Sequence, residues 1–280
     1  MKEIHIDGFT TDIQPNDALA IAVFGMEGSG KSRFLATAPD PIGVIPLERK
    51  SRRTISQVAR EFDRTVLMPE EDMVRVSNPM KVAMMDDPEL IKYYRAHVDK
   101  VKRAAYTLYA HPDVRTIGID SATQLWEDMM FANYGRLTRV LQRDRGLINQ
   151  EFTQFVNNLS GKNLILLHHS KEIYKNDKGT GKYAPAGYPR IGHLVNCTME
   201  LVNDPSKGEG DDERFVANIV MCQSNPAIQG PGGKALLTDD SIMFDALAYA
   251  IDPDWGEQVE AAQGKRDAKR MIKAVQGKKV

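Results

Sequence analysis

Residues 25–32 read Gly-Met-Glu-Gly-Ser-Gly-Lys-Ser. This is the full pattern G-x-x-x-x-G-K-[ST], whose chemistry is the cradling of a polyphosphate. Gly25, Gly28 and Gly30 let the backbone curl close to an anion without a side chain in the way. Successive N–H groups through Ser29 and on to Arg33 then face the charge. Lys31 carries a cation to the β- and γ-phosphates, and the Ser32 hydroxyl suits Mg2+. The loop works only between a buried strand and a helix N-terminus. The apolar run 19–24 supplies the first, and residues 33–38, stopped by Pro39, supply the second.

Three further positions suit the same chemistry. The run Thr116-Ile117-Gly118-Ile119 ends in Asp120. In a parallel sheet that carboxylate emerges beside the phosphate loop, where it holds the water shell of Mg2+ as a Walker-B aspartate does. The next residue is Ser121 rather than a second acid, so the catalytic base must come from elsewhere. Glu48 follows the apolar stretch 42–47, and a carboxylate there faces the γ-phosphate and orients the attacking water. His168 and His169 close the run Leu164-Ile165-Leu166-Leu167. Adjacent strand residues point to opposite faces, so one imidazole, assigned to His169, reports the γ-phosphate and the other is structural.

Directly after His169 the chain turns basic and aromatic. Lys171, Lys175, Lys178, Lys182 and Arg190 face Glu172 and Asp177, with Tyr174, Tyr183 and Tyr188 between glycines and prolines. A mobile loop of this kind suits single-stranded nucleic acid, cations meeting phosphates and rings stacking on bases. A second cluster holds Arg136, Arg139, Arg143 and Arg145. A third lies in the tail, with Lys265, Arg266, Lys269, Arg270, Lys273, Lys278 and Lys279 opposed by Asp267.

The elements needed to position these groups read as alternating strands and helices, hence an α/β fold with a mainly parallel central sheet flanked by helices. Residues 1–18 read as an N-terminal arm, 19–255 as the core, and 256–280 as a basic C-terminal tail. Between the second and third strands lies a helical insertion, about 69–112. Its first part is irregular. From Pro88 the residues Leu90, Ile91, Tyr94, Val98, Val101, Ala105 and Leu108 fall at helical spacing. Apolar residues make up 42% of the 280, enough for a large core, and a net charge of −1 gives no global bias toward nucleic acid. No apolar run approaches the ~20 residues of a membrane span, and the first residues lack an apolar leader core. The two cysteines, Cys197 and Cys222, are far apart in sequence without metal-ligand spacing, and each sits in an apolar run that reads as core. A reducing cytoplasm is the expected setting.

In this order the motifs resemble the RecA-like P-loop ATPases, and within them the core-only bacteriophage nucleotide-binding group, some of which act as single-strand-annealing recombinases. The resemblance covers roughly residues 20–250. Residues 25–32 look like its Walker A, 45–48 like the strand bearing the catalytic glutamate, 117–121 like its Walker B, and 166–169 like the sensor strand. The segment after His169 is similar to the mobile DNA-binding loop, and the arginines at 136–145 fall where such proteins place their first DNA-contacting loop.

The resemblance implies ATP and Mg2+ as ligands and single-stranded DNA as partner. It also implies a ring or filament with ATP between subunits, and a tail able to dock a single-strand-binding protein. RecA carries lysines at the end of the strand corresponding to 215–222. Here the strand ends Met221-Cys222-Gln223-Ser224-Asn225, so a trans-acting cation must come from another position such as Arg190. Other classes stay open: an ATP-switched loader or adaptor with little hydrolysis, a nucleotide kinase, or a DNA motor. A kinase lid is rich in arginine, whereas the segment 171–192 holds only Arg190.

Overall fold

The structure is a computed structural model. It describes residues 18–74, 79–136, 140, 142–204, 206–207, 214–229, 235–238 and 242–252. Residues 1–17 of the arm, the tail and Arg139 lie outside them, as does the side chain of Arg143.

The described strands form one nine-stranded sheet. They are β1 (Ala20–Gly25), β2 (Ile42–Pro46), β3 (Val66–Leu67), β4 (Thr116–Asp120), β5 (Asn163–Lys175), β6 (Lys178–Pro185), β7 (Cys197–Asn203), β8 (Phe215–Cys222) and β9 (Ala235–Thr238). Their order is β3-β2-β4-β5-β1-β7-β8-β9, with β6 paired to β5. From β3 through β7 every pairing is parallel, and β8 and β9 then add antiparallel strands. The central strands are apolar almost without alternation, the signature of a sheet covered on both faces.

One face carries α4 (Asp87–Ala110), α5 (Ala122–Tyr134) and α6 (Gly146–Asn157), packed on Ala22, Ile45, Ile117, Ile119, Leu164 and Leu166. The other carries α1 (Lys31–Ala36), α2 (Ser51–Glu61) and α7 (Phe244–Ile251), packed on Ile21, Val23, Val44, Ile165 and Leu167. The strand period of two sends alternate residues to the two layers, so one short strand serves both cores.

The insertion is more ordered than its sequence suggests. A two-residue strand, β3, extends the sheet beside β2, so the strand ending in Asp120 is the fourth in the chain. A short helix, α3 (Pro79–Met84), precedes α4. Helix α4 begins at Asp87, one residue before Pro88. The Asp86 carboxylate accepts from the Glu89 N–H (2.9 Å), and the Glu89 side chain accepts from the Asp86 N–H (3.3 Å). Such a reciprocal cap contributes about 0.5–2 kcal/mol. Leu90, Tyr94, Val98, Val101 and Ala105 form the buried stripe. Tyr94 stacks on Phe131 of α5 at 4.7 Å, and Glu151 of α6 receives both Arg95 and Lys102 at 2.7 Å. This helix is a layer of the main core.

Candidate functional site

The parallel register aligns four strand ends. Gly25 lies opposite His169, Pro46 opposite Asp120, and Asp120 opposite Leu167. Because β5 sits between β1 and β4, the histidine strand separates the phosphate loop from the acidic strand end. Groups far apart in the chain, from Gly25 to His169, thus meet at one edge of the sheet, where a parallel α/β fold places its ligands.

In the phosphate loop, Gly28 (φ 78°) and Gly30 (φ 93°) take left-handed conformations, and a Cβ at either would meet nothing within 4 Å. The loop therefore arches over open space, and only glycine enters that conformation without cost. Gly30 begins α1 without a side-chain cap. The Lys31 Nζ donates to the Gly25 carbonyl at 2.7 Å and the Met26 carbonyl at 2.9 Å. Burial lowers its pKa, with Asp120, Glu48 and Glu27 pulling the other way. The Ser29 hydroxyl is buried with no hydrogen-bond partner. Arg33 turns aside: its guanidinium pairs with Glu61 at 2.5 Å and lies 4.8 Å from the Phe62 ring centre.

At the acidic side, Asp120 is 6% exposed. Burial raises its carboxyl to about 6, Ser51 opposing this by hydrogen bonding and Glu48 adding to it by charge. The Asp120–Ser121 peptide is cis. Ser121 caps α5 by accepting from the Gln124 N–H at 3.2 Å and also hydrogen-bonds Glu48.

Glu48 and His169 meet. His169 Nε2 lies 2.5 Å from Glu48 Oε1, the two side chains half-exposed. That bond is the main cause of a lowered pKa on Glu48 and a raised one on His169, so it favours the ionised carboxylate and the protonated imidazole. The candidate base and the candidate sensor are thus joined to each other, with Lys31 close enough to bias both electrostatically and both close enough to bias Asp120. His168 faces the other way. It is fully buried, its Nδ1 lies 3.0 Å from the Ala186 carbonyl, and burial drives its pKa to about 4, so it is neutral. Thr123 ties the region together, accepting from the His169 N–H and donating to the Ala186 carbonyl, both at 3.0 Å. The sequence reading missed Ser51, Ser121 and Thr123. Ser121 and Thr123 were findable as hydroxyls flanking the acidic strand end, but nothing in sequence ties Ser51 to Asp120.

The segment after His169 is a β-hairpin, which corrects the expectation of a mobile loop. Strand β5 runs on past the sheet edge to Lys175, turns at Asn176 (φ 51°) and Asp177 (φ 58°), and returns as β6. Two consecutive left-handed residues of this type make the tight turn whose twist matches paired strands, and the Asn-Asp pair was the overlooked signal. Glu172 braces the arm by accepting from the Gly181 N–H at 3.1 Å. Register and alternation place Lys171, Lys175 and Lys178 on one face and Glu172, Tyr174 and Tyr183 on the other, with Lys182 in the stretch where the register shifts. All four lysines and both tyrosines are exposed. Tyr188 is not part of the arm's surface. It is 6% exposed, stacked 5.3 Å from Phe152 and bonded to Thr153.

Of the arginine cluster, Arg136 braces the α3–α4 junction through the Ala83 carbonyl (3.1 Å), the Met85 carbonyl and Asp87 (3.6 Å). Arg145 lies 5.8 Å from the Trp126 ring centre. Beside Glu48 opens a cleft of about 620 Å³ lined by Pro46, Arg49, Arg52, Glu70 and Asp72. Arg52 holds its far wall by donating to the Pro69 carbonyl at 2.5 Å. Part of the insertion therefore walls the catalytic edge.

The orphaned Ser29 hydroxyl and the open arch over Gly28 and Gly30 fit a polyphosphate, and Ser32 with Asp120 supplies the oxygen donors a hard cation takes. Fold and site together define an α/β P-loop NTPase. The chain belongs to the AAA domain family, whose profile matches residues 17–206. That span runs from the phosphate-loop strand through β7 and includes every group described at the catalytic edge, and the family assignment carries P-loop nucleotide-binding character with it. No curated protein matches the chain. Among the described residues no helix is long and apolar enough to cross a membrane.

Proposed function

We propose that this protein is an ATPase that binds single-stranded DNA in an ATP-dependent manner, of the annealing or strand-pairing kind used in phage recombination or replication. The observation that carries the reading is the 2.5 Å bond between Glu48 and His169 at the shared edge of Lys31 and Asp120. It joins a carboxylate placed to orient water with the first residue of a basic, aromatic arm.

Lys31, now held by the carbonyls of its own loop, turns to the β- and γ-phosphates, and the loop N–H groups and the Ser29 hydroxyl complete the cradle. Ser32 and Asp120 would hold Mg2+, which would supply charge neutralisation on the phosphates. Glu48 orients the attacking water and accepts its proton. His169 releases Glu48 and donates toward the γ-phosphate, and because it is the root of the hairpin its movement is passed to the arm. The lysine face then meets DNA phosphates while Tyr174 and Tyr183 offer stacking surfaces. In this reading the chain works as a homo-oligomer, ring or filament, with ATP at subunit interfaces and a trans cation such as Arg190, which is exposed.

The test is ATP hydrolysis with and without single-stranded DNA at low salt, for the wild type and Glu48→Gln. Stimulation by DNA that disappears in Glu48→Gln is the expected result, with kcat lower by about 10²–10⁴-fold as for loss of a general base. ATP binding without turnover in the wild type would refute the ATPase reading in favour of a switch or loader.

A further inference from the structure

Cys197 and Cys222, far apart in sequence, face each other across the β7–β8 ladder. Both are fully buried free thiols. The Gln223 N–H donates to the Asn196 carbonyl at 2.8 Å, and this flanking bond makes Cys197–Cys222 a non-hydrogen-bonded antiparallel pair. In such pairs the Cα atoms are about 4.5 Å apart and the side chains lie on the same side of the sheet. That spacing falls at the short end of the range of about 4.4–6.8 Å found in disulfides. The two thiols bias each other, the neighbour raising the pKa of Cys197 and lowering that of Cys222. The Asn225 N–H donates to the Cys222 sulfur at 3.3 Å, and the Ser224 N–H lowers its pKa further. Backbone donors at the Cys222 sulfur favour its thiolate, so its pKa lies below that of Cys197, which burial and its neighbour push up.

We propose that Cys197 and Cys222 form a reversible cross-strand disulfide, with Cys222 the peroxide-reactive thiol and Cys197 the resolving one. The oxidant is a hydroperoxide. The Cys222 thiolate attacks one peroxide oxygen, the O–O bond breaks, and Cys222 becomes a sulfenic acid as the departing hydroxide takes a proton to become water. The Cys197 sulfur then attacks the Cys222 sulfur, the S–S bond forms and the S–O bond breaks. The second water leaves with the Cys197 proton. In sum, two thiols and one hydrogen peroxide give one disulfide and two waters. Access comes from the exposed residues that follow Cys222, Gln223 and Ser224, since strand ends open locally far more often than the sheet unfolds. The closed pair locks β8 to β7, the strand that flanks β1 along its length to Gly25.

The experiment treats the full chain with hydrogen peroxide, alkylates it in denaturant and maps its peptides by mass spectrometry. The expected product is a linked Cys197–Cys222 peptide lighter by about 2 Da, the two thiol hydrogens, and restored by dithiothreitol. In Cys197→Ser the linked peptide is absent, and Cys222 is captured by dimedone as the sulfenic acid. Two fully alkylated thiols in peroxide-treated wild type would overturn the proposal. So would Cys222 sulfinic acid without a link, a readout that does not depend on any variant folding.

Discussion

Gly118→Ala puts one carbon between the strand that ends in Asp120 and the helix that follows the phosphate loop. A Cβ at Gly118 would lie 2.7 and 2.8 Å from the two terminal methyls of Leu35, about 1 Å inside the separation at which carbon contacts are favourable. Leu35 and Ile117 are fully buried, so neither side has an open rotamer to retreat into. Helix α1 must therefore move away from β4, or Leu35 must leave its rotamer, at about 1–3 kcal/mol. At roughly 2–4 °C per kcal/mol for a chain of this size class, Tm falls by about 2–12 °C.

The displacement also separates Ser32, on α1, from Asp120, at the end of β4, so Mg2+-dependent nucleotide affinity falls along with stability. Leu35→Val removes about the carbon that Gly118→Ala adds. The double variant recovers most of both losses, with a coupling of about 0.5–3 kcal/mol in the range of contacting pairs. Thermal unfolding and nucleotide titration of the four proteins measure this. Additive losses in the double variant, or an unchanged Tm in Gly118→Ala, would refute the claim that this close approach sets the spacing of the two halves of the site.

The Glu48–His169 pair sets a pH window. Glu48 is lowered, so its contribution is present above the ordinary carboxylate range and lost as pH falls through its folded value. His169 is raised, so its contribution is complete below about 6.5 and lost as pH rises through its folded value. The pair is strongest at mildly acidic pH, above the ordinary carboxylate range and below about 6.5, and Glu48→Gln returns the His169 titration, followed by NMR, toward 6.5. Both groups are half-exposed, so the same variant lowers stability by only about 1 kcal/mol or less.

Replacing Lys171, Lys175, Lys178 and Lys182 together by alanine leaves Tm unchanged, because all four are exposed. It flattens the salt dependence of single-strand binding by up to about 2.8 in log–log slope, at about 0.7 per phosphate contact. Asp128 of α5 is fully buried, with His97 of α4 3.4 Å away. Asp128→Ala removes the buried carboxylate that accepts from the Gln124 side-chain amide at 3.4 Å and costs about 1–3 kcal/mol by denaturant unfolding.

Much of the architecture was legible because local patterns carry it. The phosphate loop is read from contiguous residues, since its glycines, lysine and serine act through their own backbone. The strands that lead to Glu48, Asp120 and His169 are read from short apolar runs, since a strand covered on both faces has no alternation to hide. The stripe of α4 is read from spacing alone. What was missed shows where local pattern fails. The hairpin arm is polar on both faces, so nothing in its hydrophobicity marks it as strand, and only the Asn-Asp turn betrays it. Tyr188 sits among basic and glycine residues yet belongs to the core, because Phe152 of α6 meets it from elsewhere in the chain. Strand β3 is two residues long and exists only because β2 offers it an edge.

The sequence by itself determined the ligand chemistry: a loop of eight residues whose types and order suit a polyphosphate, and acids at the ends of apolar runs. The tertiary structure decided which of those groups meet. Parallel register brought His169 level with Gly25 and Asp120 level with Pro46, and so closed the Glu48–His169 bond across 121 positions. Antiparallel register did the same for Cys197 and Cys222. Register depends on which buried strand pairs with which over long stretches of chain, and no local pattern holds that information.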